Sequence, residues 1–187
     1  MKKLVIFDLD GTLLNTIADL AHSTNYALNK LGYPTHEIEK YNFMVGNGID
    51  KLFERALPEE EKSKENVLRV RKEFVPYYDI HNADDSRPYP GIPELLSYLQ
   101  DAGIQIAVAS NKYQAATQKL IDHYFPEIHF TAVFGQREGI KVKPDPTVVF
   151  DILEVAKVTK EEVLYVGDSG VDMQTAANAG VTACGVT

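Results

Sequence analysis

The chain has 187 residues, 44% apolar and 25% charged, which suits a globular protein with one compact domain plus a modest insertion rather than two full domains. Its formal net charge of −8 argues against a surface built to neutralise nucleic-acid phosphates, whereas a small phosphorylated ligand held by local cations stays open. Cys184 is the only cysteine, so no intramolecular disulfide forms, and its small apolar neighbours predict a buried structural thiol.

Lys2 and Lys3 precede an apolar run that Asp8 interrupts too early for a secretion signal. No stretch reaches the length of a membrane span, so the expected location is the cytoplasm. The sequence leaves the oligomeric state open.

Leu4 to Phe7 is a continuous apolar β-prone run and reads as a buried parallel strand ending on Asp8 and Asp10. Gly11 lets the chain turn sharply there, and Thr12 can fix the turn by a local hydrogen bond. Ile17, Ala21, Leu28 and Leu31 then recur at helical spacing until Gly32-Tyr33-Pro34 stops them. A second helix starts near Ile49, carries Leu52, Phe53, Ala56 and Leu57, and ends at Pro58. Glu59 to Tyr78 mixes charges with Val67, Leu68, Val70, Phe74 and Val75, the pattern of a solvent-facing amphipathic helix.

Arg87-Pro88-Tyr89-Pro90-Gly91 marks a boundary, after which helices and strands alternate. The expected order is a helix on Ile92, Leu95, Leu96 and Leu99, a strand at 104–109, a helix at 113–123, and a strand at 130–134. A helix at 146–157, a strand at 163–166, a helix at 172–179 and a strand at 181–186 complete it, with Thr159 and Glu162 at capping-box spacing for a short turn. This alternation predicts an α/β fold with a doubly wound parallel sheet. Residues 1–15 and 86–187 would form the core, and residues 16–85 a small inserted helical cap. The chain stops at Thr187 directly after a strand, which either completes the sheet or leaves it without a closing helix.

Each strand ends on polar residues. After 104–109 come Ser110, Asn111 and Lys112, able to offer a hydroxyl, an amide and backbone donors to phosphate oxygens. Lys143, beside Pro144, supplies a fixed cation, and Asp168 and Asp172 stand four residues apart at a helix start. Phosphoryl transfer needs an in-line nucleophile, an acid for the leaving group and positive charge on the equatorial oxygens. Asp8 can be the nucleophile and Asp10 the acid and base. The hard oxygens of Asp8, the Asp10 carbonyl and Asp168 suit Mg2+. Lys112 and Asp145 adjoin these motifs without an assigned role. The five histidines, His22, His36, His81, His123 and His129, show no metal-ligand spacing and read as surface residues.

Asp8-Leu9-Asp10-Gly11-Thr12, Ser110-Asn111, Lys143-Pro144 and Gly167-Asp168-Ser169-Gly170-Val171-Asp172 together resemble the haloacid dehalogenase superfamily over nearly the whole chain. The resemblance implies a Rossmann-like core with Asp8 as nucleophile and Asp10 as acid/base. Phosphate would be bound by Thr12, Ser110, Asn111 and Lys143, with Mg2+ at Asp8, Asp10 and Asp168 supported by Asp172. Dehalogenases of the family lack the second aspartate, so Asp10 points to phosphate chemistry. Met44-Val45-Gly46-Asn47-Gly48-Ile49 with Glu54-Arg55-Ala56-Leu57 looks like the cap segment of phosphoglycolate phosphatases. That implies specificity contacts from Asn47 and Arg55, although two glycines between helices can equally be a plain turn.

The expected activity is therefore a Mg2+-dependent phosphatase acting on a small phosphorylated metabolite through an aspartyl-phosphate, with 2-phosphoglycolate as leading substrate. A phosphomutase of the β-phosphoglucomutase type, a pyrophosphatase or nucleotidase, and a non-catalytic binding module on the same fold are the alternatives. The cap is expected to close over the core during transfer.

Overall fold

A computed structural model describes all 187 residues, which form two compact units, one of Met1–Asn15 with Pro88–Thr187 and one of Thr16–Arg87. In chain order the elements are β1 (Leu4–Phe7), β2 (Leu14–Asn15), α1 (Ile17–Lys30), α2 (Ile49–Ala56), α3 (Lys64–His81), β3 (Arg87–Pro88) and α4 (Ile92–Asp101). Then follow β4 (Gln105–Tyr113), α5 (Gln114–Tyr124), β5 (Phe130–Gln136), α6 (Thr147–Ala156), β6 (Val163–Gly167), α7 (Gly170–Ala179) and β7 (Thr182–Gly185). No helix is long and apolar enough to cross a membrane.

The first unit is the expected α/β fold: a five-stranded parallel sheet in the order β5-β4-β1-β6-β7. β1 is entirely buried because both of its faces are covered. Leu4 and Ile6 join Val149 and Ile152 of α6 and Ala176 and Ala179 of α7 in one apolar cluster, and the intervening Val5 and Phe7 are buried on the other face. Burying each such side chain stabilises the fold by about 1.5–3 kcal/mol. From β1 the chain winds out to β4 and β5, then crosses to β6 and β7 on the other side. The order thus reverses beside β1, where open α/β sheets present a crevice at the strands' carboxyl ends.

The second unit is helical. α1 and α2 both pack on α3, and a 3-10 segment at Ile38–Phe43 packs on α1. Its centre is aromatic, with Phe53 and Phe74 rings 4.9 Å apart edge-to-face and Phe74 and Tyr78 stacked at 5.0 Å. Asn25 bridges to both backbone groups of His36 and accepts from the Tyr41 hydroxyl at 2.6 Å. Asp19, buried at the start of α1, accepts from the backbone N–H groups of Asp85 and Ser86 and from the Ser86 hydroxyl.

Four expectations need correction. α3 begins at Lys64 rather than Glu59, because Ser63 caps the helix through Asn66 N–H and the acidic run before it is only a short 3-10 turn. β4 continues past Ala109 to Tyr113, kept extended by a shifted register against β5. Cys184 is exposed rather than buried, since β7 is the outer strand of the sheet and all four of its residues are exposed. His36 is half-buried instead of superficial, its Nε2 lying 2.7 Å from the Ala56 carbonyl, whereas His81 keeps 38% of its side chain exposed and stacks on Tyr77.

Candidate active site

Register brings the acidic residues together. Phe7 pairs with Val108 on one side and Val166 on the other, so Asp8 leaves β1 level with Ala109 and Gly167. Its N–H donates to the Val166 carbonyl at 2.9 Å, which holds the backbone in the sheet up to the carboxylate itself. The chain then turns tightly, with the N–H groups of Leu13 and Leu14 both reaching the Leu9 carbonyl at 3.0 Å. Gly11 has a φ of +85°, and a Cβ there would collide with the Asp168 carboxylate, so the turn and the β6 loop pack too closely for any side chain. Thr12, expected at the phosphate, donates its hydroxyl to Asp168 at 3.1 Å and ties those two loops together.

Lys143 is the electrostatic centre. Its ammonium lies 2.9 Å from Asp8 Oδ1, 2.7 Å from Asp172 Oδ1 and 2.8 Å from the Ala109 carbonyl, with its side chain 2% exposed. Asn111 holds that lysine's backbone in place, accepting from its N–H at 2.8 Å and donating to its carbonyl at 3.1 Å. The expected phosphate-binding amide is thus engaged on the Lys143 loop. Ser110 is buried and its oxygen accepts from Lys112 N–H at 3.2 Å, which leaves the hydroxyl hydrogen to donate.

Asp172 has two duties. It closes a capping box at the start of α7 with Ser169, and it accepts from Lys143 and, at 3.2 Å, from the Tyr165 hydroxyl. Gly167 is required beside it, because a Cβ there would meet the Asp172 side chain. Asp145, unassigned from sequence, accepts from Thr147 N–H and hydroxyl and so orders the entry to α6.

Burial sets the charge states. Loss of water pushes the Asp8 carboxyl up to about 7, against the pull of the Lys143 charge and with a further push from Asp172 and Asp10. Burial alone would lower Lys143, but the charge of Asp8 and the proximity of Tyr165 and Asp172 raise it well above the ordinary lysine range. Burial would likewise raise Asp172, yet the Lys143 charge and hydrogen bonds from Lys143 and Ser169 hold it below the ordinary carboxylate value. Tyr165 is raised chiefly by burial and stays a neutral donor.

Carboxylate oxygens of Asp8, Asp168 and Asp172 lie within 4.8 Å of one another. Four carboxylates, Asp8, Asp10, Asp168 and Asp172, face two ammonium groups, Lys112 and Lys143, which leaves two formal negative charges. All-oxygen donors with that residual charge fit a hard divalent cation such as Mg2+. Asp172 is already saturated by its donors, so Asp8 and Asp168 have the capacity to ligate.

Two residues of this site escaped the sequence reading. Lys112 places its ammonium 3.0 and 3.1 Å from the two Asp10 oxygens with its side chain only 2% exposed. Its signal was strand alternation, since Ser110 and Lys112 share a face once β4 is extended to Tyr113. Tyr165 was legible as a hydroxyl in mid-strand, which burial obliges to find a partner. Asn47 and Arg55 belong to the helical unit, where the guanidinium donates to Asn47 Oδ1 at 2.7 Å and to the Met44 carbonyl at 2.8 Å.

Comparison with known proteins gives the chain a family. Residues 5–186 match the family of haloacid dehalogenase-like hydrolases. A phosphoglycolate phosphatase of Mesorhizobium japonicum is 33% identical over 182 residues, covering 96% of this chain and 80% of the relative. One from Vibrio parahaemolyticus is 34% identical over 190 residues, covering 99% and 83%. The crystal structure of a predicted phosphoglycolate phosphatase from Haemophilus somnus superposes with a TM-score of 0.92 at 31% identity, covering all of this chain (100%) and 85% of the other. The chain belongs to the haloacid dehalogenase-like hydrolases.

Proposed function

We propose that this member of the haloacid dehalogenase-like hydrolases, a phosphoric monoester hydrolase, cleaves a small phosphorylated metabolite through an aspartyl-phosphate on Asp8, with 2-phosphoglycolate as the substrate. The carrying observation is the divided use of the Asp8 carboxylate. Oδ1 is held by Leu9 N–H at 2.7 Å and by Lys143 at 2.9 Å, so Oδ2 is the oxygen left to attack phosphorus. Its bond to phosphorus forms as the ester P–O bond breaks, and Asp10 gives its proton to the departing alkoxide. Water then attacks the same phosphorus, its proton passes to Asp10, and the bond to Asp8 breaks to release inorganic phosphate.

Lys143 and the Ser110 hydroxyl are suited to the equatorial phosphate oxygens, while Asn111 fixes the Lys143 loop and Thr12 fixes Asp168. Mg2+ held by Asp8, the Asp10 carbonyl and Asp168, with Asp172 in support, would offset the repulsion between anionic nucleophile and anionic phosphate. The identity of 33–34% with phosphoglycolate phosphatases over nearly the whole chain supports the choice of substrate. In this reading Thr16–Arg87 acts as a cap that excludes water, and Asn47 and Arg55 contribute to recognition of the substrate carboxylate. The single cysteine is compatible with work in the reducing cytoplasm.

Phosphate release with Mg2+ from 2-phosphoglycolate, set against sugar phosphates, nucleotides and pyrophosphate, tests this function. A kcat/KM for phosphoglycolate several orders of magnitude above the panel is the expected result. Comparable rates on all of them would refute the substrate, and no release from any would refute the phosphatase.

A further inference from the structure

Asp10 must present its proton to a leaving group and later take one from water, which demands a fixed carboxylate in a site where a small misplacement is costly. Asp10 leaves the chain in the turn after β1, and its side chain is 23% exposed. The backbone hydrogen bonds of that turn run among Leu9, Gly11, Thr12, Leu13 and Leu14. Lys112 grips the carboxylate. Its ammonium meets both oxygens, at 3.0 and 3.1 Å, from a side chain that is itself 2% exposed.

The lysine is well anchored for such work. β4 keeps its backbone extended, the Lys112 N–H donates to the Ser110 hydroxyl oxygen at 3.2 Å, and its carbonyl accepts from Thr117 at 3.2 Å. A Cβ at Gly135 of β5 would strike the Lys112 carbonyl, so the neighbouring strand is glycine where it crosses this residue. A cation buried beside one carboxylate and braced by two strands is an expensive arrangement unless the pair serves a purpose.

We propose that Lys112 is a positioning residue for the leaving-group step, holding the Asp10 carboxylate in the orientation that delivers its proton. This rests on the phosphatase reading above, and it assigns Lys112 an action on Asp10 rather than on the phosphate. Two consequences separate that action from a structural one. Loss of Lys112 slows departure of a poor leaving group more than of a good one, and it lowers kcat more than it raises KM.

The test uses phenyl phosphate and p-nitrophenyl phosphate, near-isosteric esters of which the second expels a stable anion without help from an acid. With Mg2+ present, K112M is expected to lose about 10–100-fold in kcat/KM on phenyl phosphate, less than the roughly 10²–10⁴-fold that full acid–base assistance supplies, and no more than about threefold on p-nitrophenyl phosphate. K112R, which keeps a donor and a charge, should recover most of the loss. Should K112M fail to fold by thermal unfolding, K112Q is read by the same ratio. Equal losses on the two esters, full activity on phenyl phosphate, or a change confined to KM would overturn the inference while leaving a phosphatase. Failure of the unmodified protein to release phosphate from 2-phosphoglycolate as well as from both esters would overturn the phosphatase reading, and this one with it.

Discussion

The two units bury polar groups on opposite terms. In the helical unit the buried Asp19 carboxylate is met by three neutral donors, Thr24 donates to the Leu20 carbonyl, and Tyr41 donates to Asn25, so this buried acid is held by hydrogen bonds alone. At the strand ends of the α/β unit, four carboxylates are set against two lysines and the account does not close. Asp8 and Asp172 are buried while Asp168 is exposed, and crowding like charges in this way is a cost to folding that persists where a ligand completes it. The contrast separates residues that hold the protein together from residues poised for chemistry.

The sharpest way to break that contrast is Asp8→Asn. Turnover of a phosphate monoester should fall by about 10⁴-fold or more, since the nucleophile itself is lost, while the far-UV circular dichroism stays unchanged. Retained activity with the fold intact would return Asp8 to the structural class.

Lys143→Met comes next. It leaves the buried Asp8 and Asp172 carboxylates without their shared cation. A stability loss of about 3–5 kcal/mol in urea unfolding is expected, together with loss of activity.

The pH dependence of stability follows from Asp8. Because burial raises its carboxyl to about 7, the folded chain keeps a proton there that the unfolded chain releases near the ordinary carboxylate pKa. The sign is therefore negative: this group's contribution declines as pH rises from about 4 to about 7, by on the order of 2–4 kcal/mol in the metal-free protein. Asp8→Asn should remove that slope. Parallel unfolding curves of the two proteins across this range would contradict it.

The smallest effect is expected in the helical unit. Asp19→Asn removes one acceptor from three donors and should cost about 1–3 kcal/mol, with kcat on p-nitrophenyl phosphate within a few-fold of the parent. A larger loss of kcat than of stability would show that the helical unit's buried charge is also functional.

Much of this was legible in the sequence, because the motifs sit at strand ends and parallel pairing carries strand ends to one place. Asp8, Ser110, Lys143, Asp168 and Asp172 needed only strand order to converge. What escaped depends on partners distant in the chain. Lys112 looked idle because the strand was ended at Ala109, three residues before the ammonium that reaches Asp10. The Asn111 amide bonds to the Lys143 backbone, 32 residues away, leave no trace in local pattern. The start of α3 was misplaced since mixed charge resembles helix, and only the Ser63 cap marks where the backbone begins to coil.

The most direct test of the central claim is to quench the enzyme in acid during turnover of p-nitrophenyl phosphate and map any phosphoryl group by mass spectrometry. The account predicts one phosphoryl group on Asp8 in the unmodified chain and none in Asp8→Asn. A phosphoryl group on another residue, or undiminished turnover in Asp8→Asn, would contradict it.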